Sequence, residues 1–273
     1  MASECGSGQL HFVLVHGAGH GAWCWYKIRL LLEGAGHKVT CIDLKCSGID
    51  PTDYNTVFTF AEYNEPLTTF MSSLATNEKV VLVGHSAGGR NVTNTVYKFP
   101  DKVHMAIYVA AMMVKFPFGL SRTAEDSKEV DNVSIISKIE QVLLGDKLAY
   151  EFINGIKGLP FPTGIIVKPE LQRKVLYNLS PIEDATLASM LLRPTPVWAL
   201  LNLESEKHAE FSVPRVYIKT CNDELFNPVS QDGMLLLWEP NKLLTIESDH
   251  SPFFSKPDVL FQLLTEAVAS ITI

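Results

Sequence analysis

The sequence lacks the features that define several large protein classes. No apolar run reaches the roughly 18 residues that a membrane-spanning helix needs, so we expect no membrane partner. Basic residues are fewer than acidic ones, 23 against 30, which gives a net charge of −7, and no basic block occurs. A negatively charged chain without a basic patch lacks the charge that attracts nucleic acid or an anionic membrane surface, so we expect neither as a partner.

Cysteine pairs and metal-ligand clusters are also missing from the sequence. The five cysteines are odd in number and irregularly spaced, and no C-x-x-C pair occurs. We therefore expect reduced thiols, no metal site and no other cofactor. Residues 1–8 carry neither the basic nor the apolar segment of a secretion signal, so the sequence predicts a cytoplasmic protein.

The chain has enough apolar residues, 47% of 273, for one large α/β domain. Apolar, β-rich runs alternate with helical patterns: strands are predicted at 11–15, 38–44, 79–83 and 104–113, and helices at 23–34, 60–74 and 87–99. The alternation returns after a gap, with strands at 214–219 and 243–246 and a helix at 257–271. This order predicts an α/β fold with a mostly parallel, doubly wound sheet.

Between residues 114 and 203 the alternation fails, and we expect a helical cap inserted over the sheet. Helical patterns occupy residues 134–144, 148–153 and 171–177, and Ser180 is the predicted N-cap of a further helix. A separate helical domain is the alternative, but the strands that follow favour an insertion. The predicted division is a core segment at 1–113, a cap at 114–203 and a second core segment at 204–273.

The most informative motif is the G-x-S-x-G pentapeptide at residues 84–88, which follows the apolar run 80–83. A strand that turns sharply into a helix can hold Ser86 in a strained backbone conformation at the carboxyl edge of the sheet. The small residues Gly84 and Gly88 leave room for that turn. We therefore predict that Ser86 is a nucleophile rather than part of an ordinary strand-to-helix turn.

A serine hydroxyl is a weak nucleophile until a histidine takes its proton, and that histidine needs a carboxylate to set its tautomer. On sheets of this kind the partners follow later strands, in the order serine, acid, histidine. Asp223 and Glu224 follow the strand at 214–219, and His250 follows the strand at 243–246. The residues thus predict a triad of Ser86, His250 and one of these two acids. We interpret Asp249 as a loop carboxylate that points elsewhere.

An oxyanion needs two preorganised N–H donors. The amide of Ala87, next to the nucleophile, is one candidate, and the amide of Ala18 in the glycine-rich loop after the first strand is the other. Gly17 and His20 in the same loop are candidate substrate contacts. For His20, as for the neighbouring histidines, we prefer the interpretation that the ring bonds to loop carbonyls.

Several longer stretches accompany these motifs: residues 16–27, 35–40, 47–51, 77–79 before the pentapeptide, 179–184 and 215–218. In them the chain resembles the plant methylesterase group of the α/β hydrolases, and only residues 114–175 match that group weakly. The group includes esterases of methyl salicylate, methyl jasmonate and an alkaloid aldehyde, hydroxynitrile lyases and a decarboxylating methylketone synthase. The resemblance implies a triad of Ser86, Asp223 and His250, and so favours Asp223 over Glu224.

The chain departs from some members of that group. The lyases carry a polar residue at the position of Gly17, and the rubber-tree type has a lysine at the position of Ser251, so lyase activity is not expected. The methylketone synthase lacks the serine that this chain has at Ser86. In the salicylate and jasmonate esterases an apolar residue is usual at the position of Arg90 and a bulky one at that of Ala87. These departures predict a substrate whose acyl group is larger than, or differs in shape from, that of the hormone esters.

The sequence therefore predicts a serine carboxylic-ester hydrolase for a methyl ester of a plant specialised metabolite or hormone. It would act through an acyl-serine intermediate, and an acid released with a β-carbonyl could then lose carbon dioxide. A decarboxylase or a hydroxynitrile-lyase-like carbon–carbon lyase is the alternative enzyme, and a non-catalytic small-molecule receptor is the alternative from another class. The expected partner is a small ester, and a homodimer is an open possibility.

Overall fold

The computed structural model describes residues 8–115, 147–159, 161–201 and 211–270. Its main sheet has six strands, all parallel, in the order β2-β1-β3-β4-β8-β9. They are β1 (His11–Val15), β2 (Lys38–Ile42), β3 (Val80–His85), β4 (Val103–Val109), β8 (Arg215–Thr220) and β9 (Lys242–Ile246). The predicted doubly wound parallel sheet is confirmed.

Helices lie on both faces of the sheet, and three more belong to the segment between β4 and β8. They are α1 (Tyr26–Gly34), α2 (Phe60–Tyr63), α3 (Glu65–Ser73), α4 (Gly88–Lys98), α5 (Pro169–Val175), α6 (Ile182–Leu191), α7 (Val197–Leu201), α8 (Pro228–Leu237), α9 (Pro252–Ser255) and α10 (Pro257–Ser270). No helix in the described ranges is long and apolar enough to span a bilayer. The cytoplasmic location and the homodimer stay predictions.

Strand β1 shows why the core strands are almost entirely apolar. Phe12 and Leu14 belong to one hydrophobic cluster, together with residues of α1 and α10. Val13 and Val15 belong to a second cluster, together with residues of α3 and α4. Because helices cover both faces, the central strands β1 and β3 are nearly continuous hydrophobic runs, whereas the edge strands β2 and β9 also carry lysine and threonine.

Element boundaries differ from the sequence-based expectation by a few residues in several places, and two of the differences have a clear physical cause. The predicted helix at 60–74 is divided into α2 and α3, because Pro66 lies in the first turn of α3 and has no N–H to continue the helix. The strand predicted at 104–113 ends at Val109, where Ala110 follows with a φ of 45°. A left-handed backbone turns the chain out of the sheet at that point.

The segment between β4 and β8, called the inserted segment below, contains helices α5, α6 and α7 and also a small antiparallel sheet. Its strands are β5 (Tyr150–Ile153), β6 (Gly164–Val167) and β7 (Thr195–Pro196), in the order β5-β6-β7. The predicted helix at 171–177 is confirmed as α5, but the helix predicted at 148–153 is wrong. That stretch is too short for periodicity to decide, and its pairing with β6 supplies the strand geometry.

The predicted start of helix α6 is also wrong in detail. Pro181, not Ser180, is the N-cap residue, and no side chain caps the helix. The Ser180 hydroxyl instead donates to Asp249, 2.7 Å away. The helix predicted at 134–144 lies outside the described residues, and the domain boundaries at 113 and 203 stay predictions.

Candidate active site

Ser86 lies on a sharp turn between β3, which ends at His85, and α4, which begins at Gly88. Its φ is 51°, a conformation that is strained for a residue with a side chain. The turn brings Gly88 so close to the end of the neighbouring strand β1 that a Cβ there would clash with the carbonyl oxygen of His16. A glycine is therefore required, and the packing around it holds Ser86 in the strained geometry.

The structure brings together the three side chains named from the sequence. His250 Nε2 lies 3.0 Å from Ser86 Oγ, and His250 Nδ1 lies 2.7 Å from Asp223 Oδ2. All three residues are buried. A carboxylate only accepts, so Nδ1 carries the proton that faces Asp223, and Nε2 is left to accept from the serine hydroxyl.

Asp223 is the acid that reaches the histidine, and the neighbouring Glu224 is exposed to solvent. The Asp223 carboxylate also accepts from the Thr220 hydroxyl at 2.9 Å and from the amides of Leu225 and Phe226 at 2.9 and 2.7 Å. These donors fix its orientation at the end of β8. Of the two acids that the sequence left open, Asp223 is therefore the one in contact with His250.

Two side chains fix the loop that carries His250, and only the role of the second was not predicted from the sequence. The ring of His85 bonds through Nε2 to the main-chain oxygen of His250, 2.7 Å away. Asp249 is fully buried, and its carboxylate accepts from the hydroxyls of Ser180 and Ser255 and from the amide of Ser251. None of these partners is a triad residue, as expected for a carboxylate that points elsewhere. The buried carboxylate instead joins the loop to Ser180 and Ser255. The local sequence shows no sign of this role, because Ser180 lies far away in the chain.

The glycine-rich loop after β1 passes directly beside the nucleophile. Ala18 and Ala87, the two candidate oxyanion donors, both line the cavity that contains Ser86. Gly17 is buried, and a Cβ at that position would lie 2.7 Å from the Cβ of Ser86. Gly17 therefore packs against the nucleophile, and its contact with substrate stays a prediction.

His20 lines the cavity and connects the same loop to the inserted segment. Its Nδ1 lies 3.2 Å from the carbonyl oxygen of Ala18, so Nδ1 is the donor, and Nε2 accepts from the Tyr177 hydroxyl at 2.8 Å. Burial lowers the pKa of His20 to about 3 and keeps the ring neutral at pH 7. The ring thus bonds to a loop carbonyl, as the preferred interpretation has it, while its position on the wall also suits substrate contact.

A cleft opens in front of Ser86. Most of its wall is apolar and comes from the inserted segment and nearby loops, including Met112, Ile165, Val167, Leu176, Leu192 and Leu200. The polar side chains on the wall include His20, Ser86, His250 and Arg90. An apolar cleft with a few convergent polar groups is the usual form of a small-molecule site.

The buried histidines predict that the fold loses stability in mild acid. Burial lowers the pKa values of His16, His20 and His85 below the ordinary 6.5. The unfolded chain therefore binds more protons below pH 6.5 than the folded chain, and the free energy of unfolding falls by up to about 1.4 kcal/mol per pH unit for each ring. Urea denaturation from pH 7.5 to 5 measures how the free energy of unfolding depends on pH. In His20→Gln this dependence should correspond to about one proton fewer taken up on unfolding. Equal stability at both ends of that range would contradict the assignment of neutral rings.

The fold and the site define the class of protein: an α/β hydrolase with a serine on the strand-to-helix turn. The family model described as "Alpha/beta hydrolase family" matches residues 12–263, so the chain belongs to that family. It falls within the plant methylesterases, and as a member of this group it is a carboxylesterase. It is 46% identical to Methylesterase 17 of Arabidopsis thaliana over 266 residues, which cover 96% of this chain and 92% of the relative.

Solved structures of the same fold are similar to the chain over nearly its whole length. A crystal structure of the methylesterase MES16 from Arabidopsis is 43% identical, with a TM-score of 0.81, and the match covers 96% of this chain and 100% of that one. Tomato Methylketone Synthase I, solved with 2-tridecanone, is 33% identical with a TM-score of 0.80, over 97% and 100% of the two chains. The same scaffold thus occurs in an esterase and in a methylketone synthase.

Proposed function

We propose that the protein hydrolyses a methyl ester of a plant metabolite through an acyl-Ser86 intermediate. The observation that carries this proposal is the hydrogen-bonded chain from Asp223 through His250 to Ser86 at the base of an apolar cleft. The names of the methylesterase relatives support the choice of a methyl ester.

In the first step the Ser86 oxygen attacks the ester carbonyl carbon while His250 Nε2 takes the hydroxyl proton. The carboxylate of Asp223 stabilises the imidazolium that forms, because it already accepts the Nδ1 proton at 2.7 Å. The carbon–oxygen bond to the methoxy group then breaks. The methoxy oxygen takes the proton from Nε2 and leaves as methanol.

The tetrahedral intermediate places a negative charge on the former carbonyl oxygen. The amides of Ala18 and Ala87 are the proposed donors to that oxygen, since both residues line the cleft beside Ser86. One such donor stabilises the transition state by about 3–4 kcal/mol in comparable enzymes. The close packing of Gly17 on Ser86 keeps this loop near the reacting carbon.

Water completes the cycle by attacking the acyl group on Ser86. His250 takes a proton from the water and returns it to the Ser86 oxygen, which releases the free acid. Where that acid carries a carbonyl on its β-carbon, carbon dioxide can then leave from it without further chemistry by the protein.

Product analysis tests the proposal directly. A panel of methyl esters of plant acids is incubated with the protein, and methanol and the free acid are both quantified by mass spectrometry. We expect methanol and acid, or methanol and the decarboxylated product, in equal amounts. If every ester that binds is returned intact, the protein is a receptor rather than an esterase.

A carbon–carbon lyase is the second candidate, because Methylketone Synthase I shares the scaffold. The two functions differ in their products, since a decarboxylase acting on a 3-keto acid releases carbon dioxide without methanol. The presence of Ser86 beside His250 favours the ester hydrolase. A panel that includes 3-keto acids as well as their methyl esters separates the two.

A further inference from the structure

Arg90 is a buried cation on the wall of the cleft. It lies on α4, three residues after Ala87, and its amide bonds to the Ala87 carbonyl oxygen in the first turn of that helix. Only 1% of its surface is exposed, and it is one of the residues that line the cleft in front of Ser86. The mechanism proposed above gives it no role.

The guanidinium has no polar partner within the described part of the chain. Its Nε, Nη1 and Nη2 atoms are all buried and make no hydrogen bond there. The ring of Phe60 lies 5.8 Å from its Cζ, but a ring face satisfies none of the five N–H donors of the fork. Burial lowers the pKa of Arg90 to about 9, which still leaves the group charged at pH 7.

An unpaired buried charge is costly for a folded protein, because desolvation is not offset by a counter-charge or by hydrogen bonds. The other described neighbours on the cleft wall are mainly apolar, so a leucine or methionine would suit this position better for stability alone. The cost is offset if the missing partner arrives with the substrate. A planar guanidinium matches a carboxylate, which can accept two parallel hydrogen bonds from it.

We propose that the substrate is a half-ester, whose acyl portion carries a free carboxylate that pairs with Arg90 while its methyl ester lies at Ser86. This inference rests on the proposed esterase function and names the substrate class of the same site. Ala87 and Arg90 are about one helical turn apart, so the ester and the carboxylate bind along one wall of the cleft. Arg90 is then a specificity-determining residue that binds the acyl group.

Chain-matched pairs of esters test the pairing. Monomethyl succinate, adipate and suberate each differ from methyl butanoate, hexanoate and octanoate only in having a carboxylate in place of the terminal methyl group. At pH 7 we expect the wild-type kcat/KM to favour the half-ester of at least one pair by 10- to 100-fold. This ratio should fall to one or below in Arg90→Met and stay intermediate in Arg90→Lys.

The ratio of the two kcat/KM values is taken within each variant. A loss of folded protein lowers both values equally and so leaves the ratio unchanged. Arg29→Met, which removes an arginine from the exposed face of α1, is the matched control and should keep the wild-type ratio. A wild-type preference for the neutral ester in every pair, or a ratio that Arg90→Met leaves unchanged, would overturn the proposal.

Binding to Ser86→Ala separates this proposal from the proposed function. Calorimetry compares the affinities of that variant for the two members of each of the three ester pairs, with no turnover involved. Tighter binding of the half-ester that is lost in Ser86→Ala/Arg90→Met supports the pairing even if the wild-type protein cleaves no ester of either panel, a result that would refute only the esterase. Equal affinities for the members of all three pairs refute the pairing, whatever the hydrolysis data show.

Discussion

Replacing Ser86 by alanine is expected to lower kcat for methyl-ester hydrolysis by about 10⁴- to 10⁶-fold, the range seen when a serine nucleophile is removed. Without the Ser86 oxygen no acyl intermediate forms, and only water activated by His250 remains. The Ser86 side chain points toward His250 Nε2 at 3.0 Å, so its loss leaves the rest of the cleft in place. Methanol release under saturating ester measures the effect.

The same variant should still fold and bind. Alanine at this position keeps the Cβ beside which Gly17 leaves no room for a side chain, and the strain at a φ of 51° is of the same kind as with serine. Far-ultraviolet circular dichroism and ester affinity serve as controls. A kcat within tenfold of the wild type would show that the reaction does not pass through Ser86.

Replacing Asp223 by asparagine is expected to lower kcat by about 10⁴-fold while the fold is retained. The asparagine oxygen can keep the bonds from the amides of Leu225 and Phe226, so its amino group then faces His250 Nδ1. That group donates, which forces the proton of the imidazole onto Nε2. A protonated Nε2 cannot take the proton of Ser86.

Glu224→Gln is the matched control, because it makes the same chemical change one residue away on an exposed side chain. We expect its kcat to stay within about twofold of the wild type, as for most surface substitutions. Steady-state kinetics of the two variants on one ester make the comparison. A larger loss in Glu224→Gln than in Asp223→Asn would reassign the acid.

The parts of the site that the sequence predicts are those set by local structure. The glycines around Ser86, the run of apolar residues before it and the order of the loops that carry Asp223 and His250 all follow from strand-to-helix and strand-exit geometry. A choice between Asp223 and Glu224 did not follow from the residues alone. It depended on which side chain is buried beneath the histidine, and on the resemblance to a family.

The remaining features depend on contacts between distant segments. The strand at Tyr150–Ile153 exists because it pairs with Gly164–Val167, and four residues of local pattern cannot reveal that partner. The burial of Asp249 depends on Ser180, which lies about seventy residues earlier in the chain. The sequence marks Arg90 as unusual, but only the folded cleft shows that its guanidinium has no partner among the described residues.

The most direct test of the account is to trap the covalent intermediate. The protein is mixed with p-nitrophenyl acetate, quenched in acid during the burst of p-nitrophenol, digested and sequenced by mass spectrometry. We expect an acetyl group on Ser86 and on no other residue, and its loss in both Ser86→Ala and His250→Ala. An acetyl group on another side chain, or a methyl ester cleaved at the full rate while Ser86 stays unmodified, would contradict the account.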